Sequence, residues 1–258
     1  NDSILSNTEL LFIVFQTGYG KALLFLVFTI SMGISVVDNL AFLFFDSLGA
    51  SSTMDGWSVL STVLFEIPMF YVSPILLERY GPGKLLIAAG FAYVVRVIGY
   101  TLVPANESYT MYIILMLETL HGVSYAGSKT GSVEFIARMM PEGYEASGQG
   151  ILIFVTYFGV VAGLVMAGWI QETLGGYVMF RVMAGIVSVG MMMFLLAERF
   201  CDKTHIMDAT KEKDEDETCH LVKSESAASS ASAFADVETE RYIKNLKYDS
   251  LNKWVKDW

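Results

Sequence analysis

The chain has 258 residues, of which 53% are hydrophobic and 17% charged, with a mean hydropathy of +0.48. So apolar a composition points away from a soluble domain and toward a polytopic membrane protein. The net charge of −10 argues against nucleic acid as a partner, and the two cysteines, Cys201 and Cys219, suggest neither a disulfide scaffold nor a metal cluster.

In chain order, residues 1–20 read as a linker with a brief apolar patch. The first residue, Asn1, is not a methionine, so the chain is expected to be a fragment or a processed product. Six apolar runs follow, at about 21–45, 57–77, 85–103, 109–134, 149–170 and 177–197. Each is close to the roughly 20 residues that a helix needs to cross a bilayer. Lipid admits only helices or closed barrels, and the runs lack the alternation of barrel strands. The expectation is an all-α membrane protein with a six-helix bundle over 21–198. Pro68 and Pro74 should bend the second span. In the fifth, Gly159-x-x-x-Gly163 either lets a neighbouring helix approach closely or is simply tolerated there.

After the sixth span, residues 199–258 read as a disordered cytoplasmic tail. The charge run KEKDEDET and the low-complexity stretch SESAASSASAFA cannot bury a core. The last stretch, with Tyr242, Leu246, Leu251, Trp254 and Val255, has the pattern of a short amphipathic helix. Tyr248 to Leu251 has the form of a tyrosine sorting signal, a pattern common by accident. Ten of the seventeen Lys and Arg residues lie from Arg199 onward. Lys21, Arg79, Lys84, Arg138, Arg199 and Lys203 flank alternate junctions, while loops 46–56 and 104–108 carry no basic residue. The positive-inside rule then places both ends of the segment in the cytoplasm, with Arg181 the one dissenter. Whether the membrane is the plasma membrane or an internal one is open. The sequon Asn106-Glu107-Ser108 falls on the outer side, in a loop too short to suit glycosylation.

Four spans carry ionisable residues far from their ends: Asp38, Glu66, Arg96, and the pair Glu118 and His121. Such groups are costly at membrane depth, roughly 2.5–3.5 kcal/mol on insertion scales, and mark pathways or fixed pairs. Glu118 and His121 lie one helical turn apart, and Tyr125, Lys129 and Ser132 continue their stripe. At about 1.5 Å per residue, Glu66, Arg96 and His121 converge near the midplane, with Asp38 nearer the outer side. Three carboxyls face one arginine, which holds one strongly. At least one of Asp38, Glu66 and Glu118 should therefore spend part of its time protonated, as a proton carrier must. The alternative is a static Glu66–Arg96 pair with His121 bonded to it. Lys129 and Glu134 are expected to snorkel or pair near the cytoplasmic end, outside the central site.

The segment Pro74-Ile-Leu-Leu-Glu78-Arg79-Tyr80-Gly81-Pro-Gly-Lys84 resembles the loop signature of the major facilitator superfamily, with Glu78 for the usual aspartate and Pro74 for a glycine. Leu120-His121-Gly122-Val123, Arg96 within VVRVIGY, and Ala146-Ser147-Gly148-Gln149-Gly150 resemble the proton-coupled symporters related to lactose permease and nucleoside permease. They are most similar to the eukaryotic major-facilitator-like orphan transporters. The resemblance covers about residues 21–198. It implies the C-terminal half of a twelve-helix transporter, with an N-terminal six-helix half upstream in the same polypeptide and alternating access between the two. It implies that Glu78, Arg79, Gly81 and Lys84 form a conformational loop motif. Glu66, Arg96 and His121 match, by type and helix, the acid, arginine and histidine of the permease pattern. Where that pattern has a second acid one turn after its histidine, this chain has Ser124, and Glu118 sits one turn before instead. Asp38 or Glu66 is then the better proton acceptor.

The expected function is a solute:proton symporter for a small polar solute, sugar-like or nucleoside-like, with Asp38, Glu66, Arg96, Glu118, His121 and Tyr125 as site residues. The expected partners are the solute, protons and the lipid bilayer, with no cofactor and no metal. Phe42, Phe45, Phe70, Tyr93, Tyr100 and Tyr125 either stack against a ring or pack the bundle. The alternative from another class is a receptor or scaffold on a transporter fold that moves nothing. No nucleophile with a base stands out, so an enzyme is not expected.

Overall fold

The computed structural model describes residues 18–200 apart from 106, 108 and 142. The expected tail with its sorting pattern, most of the expected linker, and Asn106 and Ser108 of the sequon lie outside the described residues. Within them the chain is helical throughout its spans: α1 (Gly18–Ser47), α2 (Ser52–Tyr80), α3 (Pro82–Leu102), α4 (Thr110–Glu118), α5 (Leu120–Met139), α6 (Glu145–Leu174) and α7 (Gly176–Phe200). Helices α1, α2, α3, α6 and α7 are each long and apolar enough to cross a membrane. The other expected span is α4 followed by α5, which run from Thr110 to Met139 with a break in the ladder at Thr119. There the backbone keeps right-handed values, φ −60° and ψ −28°, and the Thr119 N–H bonds Met116 O at 3.3 Å. The span is therefore one irregular rod, ending at Met139 rather than 134. The last span likewise continues to Phe200, into the first residues assigned to the tail.

Junctions are tight because glycines reverse the chain in conformations that a side chain would resist. Gly81 has φ +81° and closes α2 by donating its N–H to Leu77 O at 2.9 Å, while Pro82 opens α3 directly after it. Gly175, at φ +85°, does the same between α6 and α7. These residues can take such values with little strain, and proline at a first helical position loses no bond the helix needs. Helix α2 continues through Pro68 and Pro74.

Helix α1 is central. It packs against α6 and α7, with α3 and α5 closing the other side. Its buried face includes Leu23, Leu26, Val36, Phe44 and Phe45, which meet Tyr93 and Tyr100 of α3 and Phe180 of α7. Helix α2 is the opposite case, burying only Ser58 and Ser73.

Lipid tails are as apolar as leucine, so contact between membrane helices depends on close fit. Gly159 and Gly163 supply it. A Cβ at Gly159 would lie 2.7 Å from Phe28 O, and one at Gly163 would lie 2.7 Å from Met32 O, both on α1. Gly150 and Gly168 on the same helix have nothing within 4 Å. The close-approach reading thus holds for the Gly159 and Gly163 pair, and tolerance describes Gly150 and Gly168. Ser35 tightens the same seam, its hydroxyl donating to Met32 O at 2.8 Å and to Val160 O at 3.4 Å.

Gly163→Leu should separate α1 from α6 at a cost of about 1–3 kcal/mol, the range for overpacked sites, and should lower the melting temperature in detergent. Gly168→Leu, with open space around it, should leave that temperature nearly unchanged.

Candidate functional site

Arg96 lies on α3 with its side chain turned into the bundle, 2% exposed. A guanidinium there needs acceptors for its fork of donors. Glu118, at the end of α4, supplies the main one: Arg96 Nη2 donates to Glu118 Oε2 at 2.6 Å. Arg96 Nε donates to the Tyr100 hydroxyl, one turn along α3, and that hydroxyl donates to Glu118 Oε1. Arg96 Nη1 meets His121 Nδ1 at 2.6 Å. Arginine has no acceptor, so Nδ1 must accept, which leaves the imidazole proton on Nε2 and the ring neutral. The result is a closed set of four buried side chains, with both Glu118 oxygens occupied.

Glu118 is the carboxylate on Arg96; Glu66 is not. The sequence favoured Glu66 by its estimated depth, but depth does not fix helix rotation. Glu66 lies half-buried on α2, where the backbone at Phe65 and Glu66 passes against Gly122 of α5 so closely that a Cβ there would collide with Phe65 O. Glu66 makes no ion pair among the described residues. Tyr100, one turn from Arg96 on the same helix face, was the member read only as a ring; the spacing was the signal.

Asp38 stands apart. Its side chain is exposed, makes no ion pair among the described residues, and lines two cavities. The smaller, about 150 Å3, lies over the closed set and is bounded by Asp38, Thr62, Arg96, Glu118 and His121. The larger, about 520 Å3, runs between α1, α5 and α6 past Asp38, Tyr125, Ser128, Lys129, Ser132 and Gln149. Asp38 is thus the carboxylate shared by both. Arg96, Glu118, Glu66 and Lys129 are the charges that act on it.

The stripe on α5 is as the spacing predicted. The His121 ring stacks on Tyr125 at 5.3 Å and 14°, and the Lys129 ammonium sits 5.6 Å from the centre of the Tyr125 ring. Phe70 of α2 meets Tyr125 edge-on at 6.4 Å. The serines Ser124, Ser128 and Ser132 fold their hydroxyls back on carbonyls three residues earlier, between 2.9 and 3.1 Å, so a polar stripe costs the membrane helix little. Lys129 belongs to the cavity wall, contrary to its expected place near the helix end, because α5 extends well past it. Glu134 does pair, with Arg138 at 2.7 Å. The loop residues Glu78, Arg79 and Lys84 are exposed around Gly81, away from both cavities.

Residues 7–182 match the MFS_1 like family. Among characterised proteins, the chain is 28% identical over 174 residues to the multi-drug resistance efflux pump PmrA in two strains of Streptococcus pneumoniae. That match covers 66% of this chain and 41% of each relative, so the chain corresponds to about two fifths of their length.

Removing the arginine leaves a buried carboxylate without its cation, a change worth about 3–5 kcal/mol. Arg96→Gln should therefore lower the melting temperature in detergent sharply, and adding Glu118→Gln should recover part of the loss. Additive losses in the double variant would show that the two side chains are not coupled.

Proposed function

Because the chain belongs to the MFS_1 like family and is an integral multi-pass membrane protein, we propose that it forms one half of a twelve-helix secondary active transporter. A second six-helix half in the same polypeptide would complete the cavities and rock against this one for alternating access. Both ends of the bundle lie on the cytoplasmic side, as the basic residues at alternate junctions suggest. The solute is small and polar, and its movement is coupled to protons.

The observation that carries this reading is the difference between the carboxylates. Glu118 is held on both oxygens by Arg96 and Tyr100, as part of a fixed set. Asp38 makes no ion pair among the described residues and faces both cavities, which is what a group that loads and unloads a proton requires. Arg96, Tyr100, Glu118 and His121 then form the fixed wall, Glu66 an outlying carboxylate, and Tyr125 a ring against which the solute lies. Charged and hydroxyl groups along the larger cavity, beside apolar wall residues, support a solute that carries polar groups. The turn at Gly81, with Glu78, Arg79 and Lys84 exposed around it, would contact the other half as the two move.

The likeness to relatives named multi-drug resistance efflux pumps supports a second reading, in which the solute leaves in exchange for protons. Both use the same proton carrier; they differ in whether solute accumulates with the proton gradient or against it. A receptor on this fold would show neither.

In proteoliposomes holding the full-length protein, an imposed pH gradient should drive solute movement. Asp38→Asn should abolish the response to the gradient, about tenfold or more in rate, while exchange of labelled for unlabelled solute continues. A gradient response that survives in Asp38→Asn would remove Asp38 from this role, and no solute movement of either kind would favour the receptor.

A further inference from the structure

We propose that the solute of the larger cavity is a small carboxylic acid taken as its anion, with Lys129 holding the carboxylate and Asp38 taking up one proton for each anion bound. This rests on the transport reading above and deepens it by naming the solute class.

The larger cavity carries two formal charges, Asp38 on α1 and Lys129 on α5. They are opposite in sign and form no ion pair with each other. Lys129 is the basic residue of this wall, with its ammonium over the Tyr125 ring. It lies nine residues before Arg138, about 14 Å along the helix, too deep for its stem to reach the end of α5. Two other carboxylates are already used, Glu134 by Arg138 and Glu118 by Arg96, and Glu66 lies across on α2. A lysine kept at this depth without an ion-pair partner among the described residues is a site for an anion that comes and goes.

Electroneutrality then sets the coupling. The empty cavity balances one Asp38 carboxylate against one Lys129 ammonium. A carboxylate that docks on Lys129 leaves Asp38 without its counter-charge, and two anions would face each other in a poorly solvated space. If Asp38 takes a proton at the same time, the cavity is neutral again. One acid and one proton therefore bind together, and neither binds well alone.

The remaining groups around Asp38 do not alter this balance. Arg96 and Glu118 cancel each other as a fixed pair, and His121 is held neutral by the Arg96 donor. Tyr93 and Tyr125 stand near on α3 and α5, and Tyr157 lines the cavity from α6. Glu66 adds a further negative charge on the α2 side, which favours the same order of events. Gln149 and Thr156 bring further polar side chains to the lining, and Ile30, Leu152 and their neighbours an apolar wall for the body of the acid. A cavity of about 520 Å3 is of the size that holds a small organic molecule.

The test is calorimetric binding to the full-length protein with pyruvate, phenylpyruvate, phenylpyruvamide, phenylalanine, glucose and uridine as probes. At least one of the two acids should bind, and its affinity should rise about tenfold or more as the buffer is acidified, while the amide binds weakly at every pH. Lys129→Gln should lose about tenfold or more in acid affinity, and Lys129→Arg should keep it, which also shows that the position tolerates change. Asp38→Asn should bind the acid without pH dependence. Uptake of the acid into proteoliposomes should be indifferent to an imposed membrane potential. The proposal is overturned if neither acid binds, if the amide or a neutral probe binds as well as the acids, or if Lys129→Gln binds unchanged. Gradient-driven uptake of glucose or uridine without acid binding would overturn it and leave the transport reading standing. Acid binding without any uptake would support the anion site and remove the transport reading.

Discussion

An arginine at membrane depth has to be answered, and the answer given to Arg96 constrains the rest of this bundle. Its guanidinium engages Glu118, Tyr100 and His121 together, so α3 and the α4–α5 rod are fixed in rotation and register at one level. That requirement selects which carboxylate is bound and which is left free. It also explains why His121 faces Tyr125 in a stack: with Nδ1 committed to Arg96, the ring plane is set. The polar stripe that continues down α5 is then aimed at α1 and α6, where the larger cavity opens.

Packing follows a different logic from that of a water-soluble core. The seam between α1 and α6 is made by two glycines one turn apart lying against the backbone of Phe28 and Met32, since apolar bulk alone gains nothing over lipid. Helix α2, with little buried surface of its own, meets α5 where Gly122 lets the Phe65 carbonyl pass. Central α1 and peripheral α2 thus both carry carboxylates, yet only Asp38 of α1 reaches the two cavities.

Much of the architecture was legible in the residues. The apolar runs lie on helices, five of them long and apolar enough to cross a membrane, the glycine pair became a close contact, and the stripe from His121 to Lys129 stayed together. The partner of Arg96 was not legible, because residue counting gives depth but not the direction a helix presents. Depth favoured Glu66, and helix rotation instead brings Glu118 to Arg96 at 2.6 Å. Lys129 was misplaced because the span was ended at 134 by its charges. Glu134 and Arg138 satisfy each other, so the helix runs on to Met139 and Lys129 becomes a mid-helix residue. Tyr100 was visible at one turn from Arg96, but a tyrosine in an apolar span reads first as packing.

Glu118 is held by Arg96, and the proposed carrier of the mobile proton is Asp38. Infrared difference spectroscopy of the full-length protein between acidic and alkaline buffer observes carboxyl protonation directly. A protonated-carboxyl band that vanishes in Asp38→Asn and persists in Glu118→Gln is the expected result. A band that persists in Asp38→Asn and vanishes in Glu118→Gln would contradict it.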